Sequence, residues 1–274
     1  MVLGAPAVGR ERRQECVERT GRDLTGAGKL FVIATPIGNL EDLTFRAKRV
    51  LSEVDALACE DTRHTRILLD RYGIPRPNLL FPYHEHNEDR AAQRILGLLA
   101  ANHNVGLCSN AGYPGISDPG YVVISRAVSR GFAIEVIPGA SAVPTALLSS
   151  GLPTSSFTFK GFPPRKAGRR RAFLEAERDV PHTLVFYESP HRLGALLQTA
   201  LEVLGDRQAA VCIELTKMFE DVRRGPLSAL AHEFEGAKVK GEVVVVIAGN
   251  HPKFTRDPDA VDGDGESVEG GGNR

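Results

Sequence analysis

The sequence predicts an α/β protein built from two α/β domains, with a mostly parallel sheet in the first half and a mixed sheet in the second. Three observations carry that expectation. Between residues 29 and 150, short apolar runs alternate with segments of helical periodicity. From 151 to 250 the apolar runs continue with fewer helical segments between them. Loops bearing glycine and proline follow the first-half runs where a strand would hand over to a helix.

In chain order, residues 1–28 mix Gly, Arg and Glu without sustained apolar periodicity, and are expected to form a variable, flexible extension with at most one short helix. The 29–150 domain carries strand candidates at Leu30–Thr35, Ala56–Glu60, Leu79–Tyr83, Asn104–Ser109 and Ala133–Ile137. Helical spacing fills the gaps, as in Ala91, Ile95, Leu98 and Leu99 on one face. Asp118-Pro119 and Ser189-Pro190 each put a capping side chain before a proline, the pattern of a helix start. The 151–250 domain offers strands at Ser156–Gly161, Thr183–Tyr187, Ala209–Glu214 and Glu242–Ala248. Two clear helices, Pro190–Leu204 and Leu227–Phe234, separate them, and a basic segment, Arg165–Arg178, precedes the second strand. Residues 251–274 are acidic and Gly-rich and are expected to be disordered. No internal repeat is visible.

Lys plus Arg and Asp plus Glu both number 34, so the global charge points to no polyanion, and any nucleic-acid surface has to be local. The apolar run Val243–Ala248 is far short of the roughly 20 residues a membrane helix needs. Arg and Glu are scattered through residues 1–28, where a signal peptide would have an apolar core. A soluble, cytoplasmic protein without a membrane partner is expected. The four cysteines, Cys16, Cys59, Cys108 and Cys212, form no C-x-x-C pair, and three lie in apolar runs as small buried residues would. His84 and His86 would face opposite sides of an extended segment, so no metal site is expected.

Three loops carry the binding expectation: Pro36-Ile37-Gly38-Asn39, the twelve residues Ser109 to Gly120, and Pro138-Gly139-Ala140-Ser141-Ala142. In an open parallel sheet, ligands sit beyond the carboxyl ends of the strands. Three such loops at one edge would wall a pocket largely with backbone amides and carbonyls. None reads G-x-G-x-x-G, none is a phosphate loop, and Gly139-Ala140-Ser141-Ala142-Val143 lacks the last glycine of a nucleophile elbow.

Polar groups collect at strand ends: Glu60-Asp61-Thr62-Arg63, His84-Glu85-His86-Asn87-Glu88, Glu188-Ser189-Pro190-His191-Arg192 and Glu214-Leu215-Thr216-Lys217. Asp61 and Thr62 are equally suited to capping the next helix. Arg165, Lys166, Arg169, Arg170 and Arg171 form the one dense basic patch, which reads either as a solvated helix face or as a phosphate contact. Phe162 and Pro163-Pro164 before it supply a rigid aromatic approach on which a base could stack.

Ala34-Thr35-Pro36-Ile37-Gly38-Asn39-Leu40, Glu60-Asp61-Thr62-Arg63, Ile116-Ser117-Asp118-Pro119-Gly120, Glu188-Ser189-Pro190-His191-Arg192 and Glu214-Leu215-Thr216-Lys217 resemble, in order and spacing, the tetrapyrrole methylase superfamily and its ribosomal RNA branch. The resemblance runs from about Lys29 to Asn250. It implies the superfamily's two α/β domains with S-adenosyl-L-methionine in the cleft between them, and a homodimer. It also implies methylation of the 2′-hydroxyl of a cytidine in the decoding centre of 16S ribosomal RNA, with the small ribosomal subunit as partner.

Carried over by motif, the cofactor would meet Pro36, Ile37, Gly38, Ser109, Asn110, Ala111, Gly112, Tyr113, Pro138, Gly139, Ser141, Ala142, Tyr187 and Leu215. Where the family usually reads Ser-Asp-Ala-Gly-Thr-Pro, this chain has Asn110 and Tyr113 in place of Asp and Thr. The catalytic candidates are Glu60 as first choice of general base, Glu188 as second, and Arg63. Arg63, Arg165, Lys166, Arg169, Arg170, Arg171, Arg192 and Lys217 are the candidate RNA contacts. Two other readings stay open: a tetrapyrrole carbon methyltransferase of the same superfamily, and an RNA-binding assembly module without catalysis.

Overall fold

The computed structural model describes residues 26–251. The expectations for the N-terminal extension and the acidic tail lie outside the described residues. The chain divides into two compact units, the first ending at Ala142 and the second beginning at Val143.

The first unit holds β1 (Leu30–Ile33), β2 (Ala56–Cys59), β3 (Leu79–Pro82), β4 (Val105–Cys108) and β5 (Ile134–Ile137). Their order is β3-β2-β4-β1-β5, and every pairing is parallel. Each strand lies where the apolar runs predict it, trimmed by one or two residues in all, at the start of β5, at both ends of β4 and at the end of the others. Alternation sorts the side chains onto two faces. Leu30, Val32, Ala56, Ala58, Val105 and Leu107 pack with α3 (Glu88–Ala100) and α4 (Tyr121–Ser129). Ile33, Leu57, Cys59 and Cys108 face the other way, onto α1 (Phe45–Glu53) and α2 (Thr62–Arg71). The sheet is covered on both sides, which is why its strands read as continuous apolar runs. α5 (Ala142–Ser150) follows β5.

The helices differ in what holds their ends. Thr44 accepts from the Ala47 amide to cap α1, and Asp61 accepts from the Arg63 amide to cap α2. At α3 the cap residue Asn87 makes no such bond, because its side chain accepts from the His84 amide and donates to the Pro82 carbonyl. Packing carries α3 instead: Ile95, Leu96 and Leu99 are each at most 1% exposed, worth roughly 1.5–3 kcal/mol apiece. That turn also corrects one expectation, since His84 and His86 lie in it with ring centroids 6.0 Å apart rather than on an extended segment. The start expected at Asp118-Pro119 is corrected too: α4 begins at Tyr121 behind Gly120, without a cap from its own side chain.

The second unit holds β6 (Phe157–Phe159), β7 (Thr183–Glu188), β8 (Gln208–Ile213), β9 (Asp221–Pro226) and β10 (Val243–Ile247) in the order β6-β7-β10-β8-β9. Only β6 and β7 pair in parallel, so the sheet is mixed, as expected. α6 (Ala167–Glu175), α7 (Leu193–Leu204) and α8 (Leu227–Glu233) share one buried cluster with Phe186, Val211 and Val245.

Three features here differ from the sequence expectation. The strand β9 carries a single large apolar side chain, Val222, and as an edge strand needs no more. Pro190–Arg192 is a turn of 3-10 helix before α7 rather than part of it. The third is α6, which lacks apolar periodicity because its two buried positions, one turn apart, are Leu174 and Arg170.

Candidate functional site

In the first unit the three Gly/Pro loops are laced together. Thr35 and Gly112 exchange both backbone hydrogen bonds, at 2.9 and 3.0 Å, tying the first loop to the long one. Gly112 does this at φ 71°, where a residue with a Cβ is strained. The Thr35 hydroxyl also donates to the Ser109 carbonyl at 3.2 Å. Gly139 donates its amide to the Tyr113 hydroxyl at 3.0 Å, joining the third loop to the second. Ala34 donates to the Ile137 carbonyl at 3.1 Å, extending the β1–β5 pairing to the point where the first and third loops begin. Pro36, Ile37 and Ser109 are buried, and Ala111, Tyr113, Gly139, Ser141 and Ala142 of the other loops are half-buried or less exposed. Gly38 and Pro138 remain exposed.

Two features of this knot bear on ligands. Oδ1 of Asn110 is buried and has no hydrogen-bond partner among the described residues. A buried acceptor left unpaired costs about 1–3 kcal/mol, so it calls for a donor. Oε2 of Glu60, at the end of β2, accepts from the Asn110 amide at 3.2 Å, which brings this carboxylate to the mouth of the long loop. Neighbouring Arg63 is exposed and grips Asp61, whose pKa falls to about 2 through that guanidinium and the Arg63 amide.

In the second unit, Glu188 ends β7 with its side chain 1% exposed. It accepts from the Ser189 amide at 2.7 Å and pairs with Arg192, yet burial outweighs both and raises its pKa. Tyr187 beside it stacks edge-on against Phe159 and Phe162, at 4.8 and 5.6 Å between centroids. Leu215 is buried between Glu214 and Thr216, which both hold positive φ (51° and 66°). Lys217 donates to Glu214 at 2.7 Å and Glu242 at 3.2 Å. Desolvation works against its charge, but the two carboxylates prevail and its pKa is raised.

The basic patch divides. Arg165, Lys166 and Arg169 are exposed at the start of α6, and Arg171 is exposed but paired with Glu175 and Glu202. Arg170, expected among the phosphate contacts, is the correction: it is buried, and its Nε donates to the Thr199 hydroxyl at 3.0 Å. Spacing alone put it in the patch, whereas its inward position, one turn before Leu174, makes its stem part of the core. Among the described residues no group of three or more His, Cys, Asp or Glu is placed to hold a metal, and no helix is long and apolar enough to cross a membrane.

Residues 29–231 match the family model of Tetrapyrrole (Corrin/Porphyrin) Methylases. The chain belongs to this family. Within it, the chain is 47% identical over 226 residues to a ribosomal RNA small subunit methyltransferase I of Halalkalibacterium halodurans, covering 82% of this chain and 78% of the relative. It is 48% identical over 220 residues to the protein of that name from Mesorhizobium japonicum, covering 80% and 74%. Such identity places it in the ribosomal RNA small subunit methyltransferase I group of the tetrapyrrole methylases. Among solved structures it resembles a uroporphyrin-III C-methyltransferase of Thermus thermophilus complexed with S-adenosylhomocysteine, with TM-score 0.55, 20% identity, and coverage of 81% of this chain and 97% of that one. At that identity the likeness speaks for the fold.

Sequence reasoning missed three contributors to the loop knot. Thr35 was visible only as part of the first motif, and its role comes from pairing with a residue 77 positions on. Tyr83 and Glu88 meet beneath the far end of the long loop, where Glu88 accepts from the Gly120 amide at 3.1 Å. The cluster His84–Glu88 was legible as polar, but nothing in its spacing says which residue turns inward.

Proposed function

We propose that the protein transfers a methyl group from S-adenosyl-L-methionine to the 2′-hydroxyl of a cytidine in the decoding centre of 16S ribosomal RNA, presented within the small ribosomal subunit. One observation carries the reading: three loops are laced together and the long one carries the unpaired acceptor of Asn110, in a chain whose relatives are ribosomal RNA small subunit methyltransferases. The ammonium group of the cofactor is a donor of the kind that Oδ1 lacks, so the residues fit the group. Pro36 to Gly38, Ser109 to Tyr113 and Pro138 to Ala142 would hold it. When bound, S-adenosylmethionine supplies a methyl group made electrophilic by its sulfonium.

The residues then have to align, deprotonate and exclude water. Positioning alone contributes about 7–11 kcal/mol in well-oriented reactions, which makes the rigid loop knot the main catalytic device. The Asn110 amide orients the Glu60 carboxylate through Oε2, leaving Oε1 to take the 2′-hydroxyl proton. Glu188 is the second choice, because its carboxylate already serves Ser189 and Arg192.

RNA would be gripped by Arg165, Lys166 and Arg169 at the start of α6. That helix has no side-chain cap and no acidic residue in its first turn, so a phosphate there meets cations and unsatisfied N–H groups together. Arg63, Arg171, Arg192 and Lys217 would join by exchanging their present carboxylate partners for phosphate. Phe162, exposed against Tyr187, offers a stacking face for an unstacked base.

The test is incubation with tritiated S-adenosylmethionine and small ribosomal subunits from cells lacking the endogenous enzyme, followed by nuclease mapping. Label in a 2′-O-methylcytidine is the expected result. Cofactor binding without label would sink the RNA substrate and favour a tetrapyrrole acceptor; no binding at all would favour an assembly module. Glu60→Gln should abolish most turnover while RNA and cofactor still bind, and full turnover in that variant would remove Glu60 as base.

A further inference from the structure

The long loop ends at a helix that cannot cap itself. Gly120 occupies the cap position of α4 at φ 156°, and a Cβ built there would lie 2.6 Å from the Gly115 amide nitrogen. No Ser, Thr, Asp or Asn can stand at that position, although these are the residues that satisfy the first N–H groups of a helix. The acceptors come from elsewhere. Oε1 of Glu88, in the first turn of α3, accepts from the Gly120 amide at 3.1 Å and from the Tyr83 hydroxyl at 2.9 Å. The Tyr83 hydroxyl accepts in turn from the Val123 amide at 3.3 Å. Tyr83 is 1% exposed, and burial followed by the Glu88 carboxylate raises its pKa, so it stays a neutral donor.

The loop is thereby held by a carboxylate at each end, Glu60 at the Asn110 amide and Glu88 at the Gly120 amide, with Thr35 in between at Gly112. The two carboxylates differ in what they face. Glu60 sits where the strand opens into the loop. Glu88 lies on the α3 side, on a network that runs through the buried Tyr83 to the Val123 amide.

We infer that Glu88, acting through Tyr83, is a positioning residue that sets the closed shape of the Ser109–Gly120 loop for the methyl donor. The inference rests on the reading that this loop binds S-adenosylmethionine. Alanine at position 88 takes the acceptor from two buried donors at once. The helix then draws water or shifts by a fraction of a turn, and the loop's far end moves with it. Glutamine keeps an oxygen where Oε1 stands and can accept both bonds.

The experiment compares wild type, Glu88→Ala, Glu88→Gln and Tyr83→Phe, by calorimetric titration with S-adenosylmethionine, by steady-state methylation of small subunits, and by amide exchange at Gly120 and Val123. Glu88→Ala is expected to raise the dissociation constant and KM for S-adenosylmethionine about tenfold, the size of two lost hydrogen bonds, with kcat at saturating cofactor within about twofold. Tyr83→Phe should fall between it and wild type, and Glu88→Gln should restore cofactor affinity.

A role in stability alone would lower the melting temperature of Glu88→Ala and leave KM unchanged well below that temperature, which would overturn the inference. Equal loss in Glu88→Gln and Glu88→Ala would overturn it as well, since charge rather than acceptor geometry would then be responsible. If wild type itself bound no S-adenosylmethionine, the cofactor reading would fail instead. Faster exchange at Gly120 in Glu88→Ala would still show the clamp on the loop, and unchanged exchange would remove it.

Discussion

Glu188 sits at the end of β7 with almost no access to water, and its burial raises its pKa against the pull of the Ser189 amide and Arg192. The folded state therefore holds this proton more tightly than the unfolded chain does. The stability tied to that proton is present below the ordinary glutamate value and is lost as pH rises through the raised one. Glu188→Gln carries no such proton, so its melting temperature relative to wild type should climb between pH 4 and pH 7. Thermal unfolding of both proteins across that range is the measurement, and a constant difference would mean that the carboxyl titrates normally. Arg170 makes the complementary point about residues: among five clustered cations, burial singles out the one whose guanidinium serves Thr199 instead of solvent.

Among the elements, α1 and α3 reach helicity by different routes. α1 begins with Thr44 accepting from Ala47 at 3.0 Å, and Thr44→Ala should cost about 1 kcal/mol of stability. Urea denaturation would show it as a lower midpoint at unchanged slope. In α3 the side chain of Asn87 is spent on the preceding turn, and three fully buried side chains do the work. The same contrast explains which elements were legible. Strands β1 to β5 announce themselves because both faces are covered, whereas β9 is an edge strand with two Arg and a Pro, and α6 has an Arg at one of its two inward positions. Periodicity reports burial, and it goes silent where a polar stem or an edge substitutes for it.

For the whole molecule, the charge balance of 34 against 34 leaves no net charge to draw in a polyanion, so the proposed RNA contact has to rest on local cations. Arg165, Lys166 and Arg169 are its exposed members without a carboxylate partner among the described residues. Replacing all three by Ala should weaken binding to the small subunit and lower the slope of log affinity against log salt by about two, at roughly 0.7 per phosphate contact on single-stranded RNA. Filter binding at three salt concentrations would decide it; parallel slopes for variant and wild type would take the patch out of the RNA contact.

The sequence by itself determined the fold class, the order of the first-half strands along the chain, and the three loops that follow them, because those depend on local periodicity and on Gly and Pro acting within a few residues. Tertiary structure alone decided what those loops do to one another. That Gly112 pairs with Thr35, that Tyr113 receives the Gly139 amide, and that Glu88 receives the Gly120 amide 32 residues further on are contacts between distant segments. No short-range pattern encodes them. They exist because a buried N–H group must find an acceptor, and the parallel sheet brings strand ends far apart in sequence to one edge.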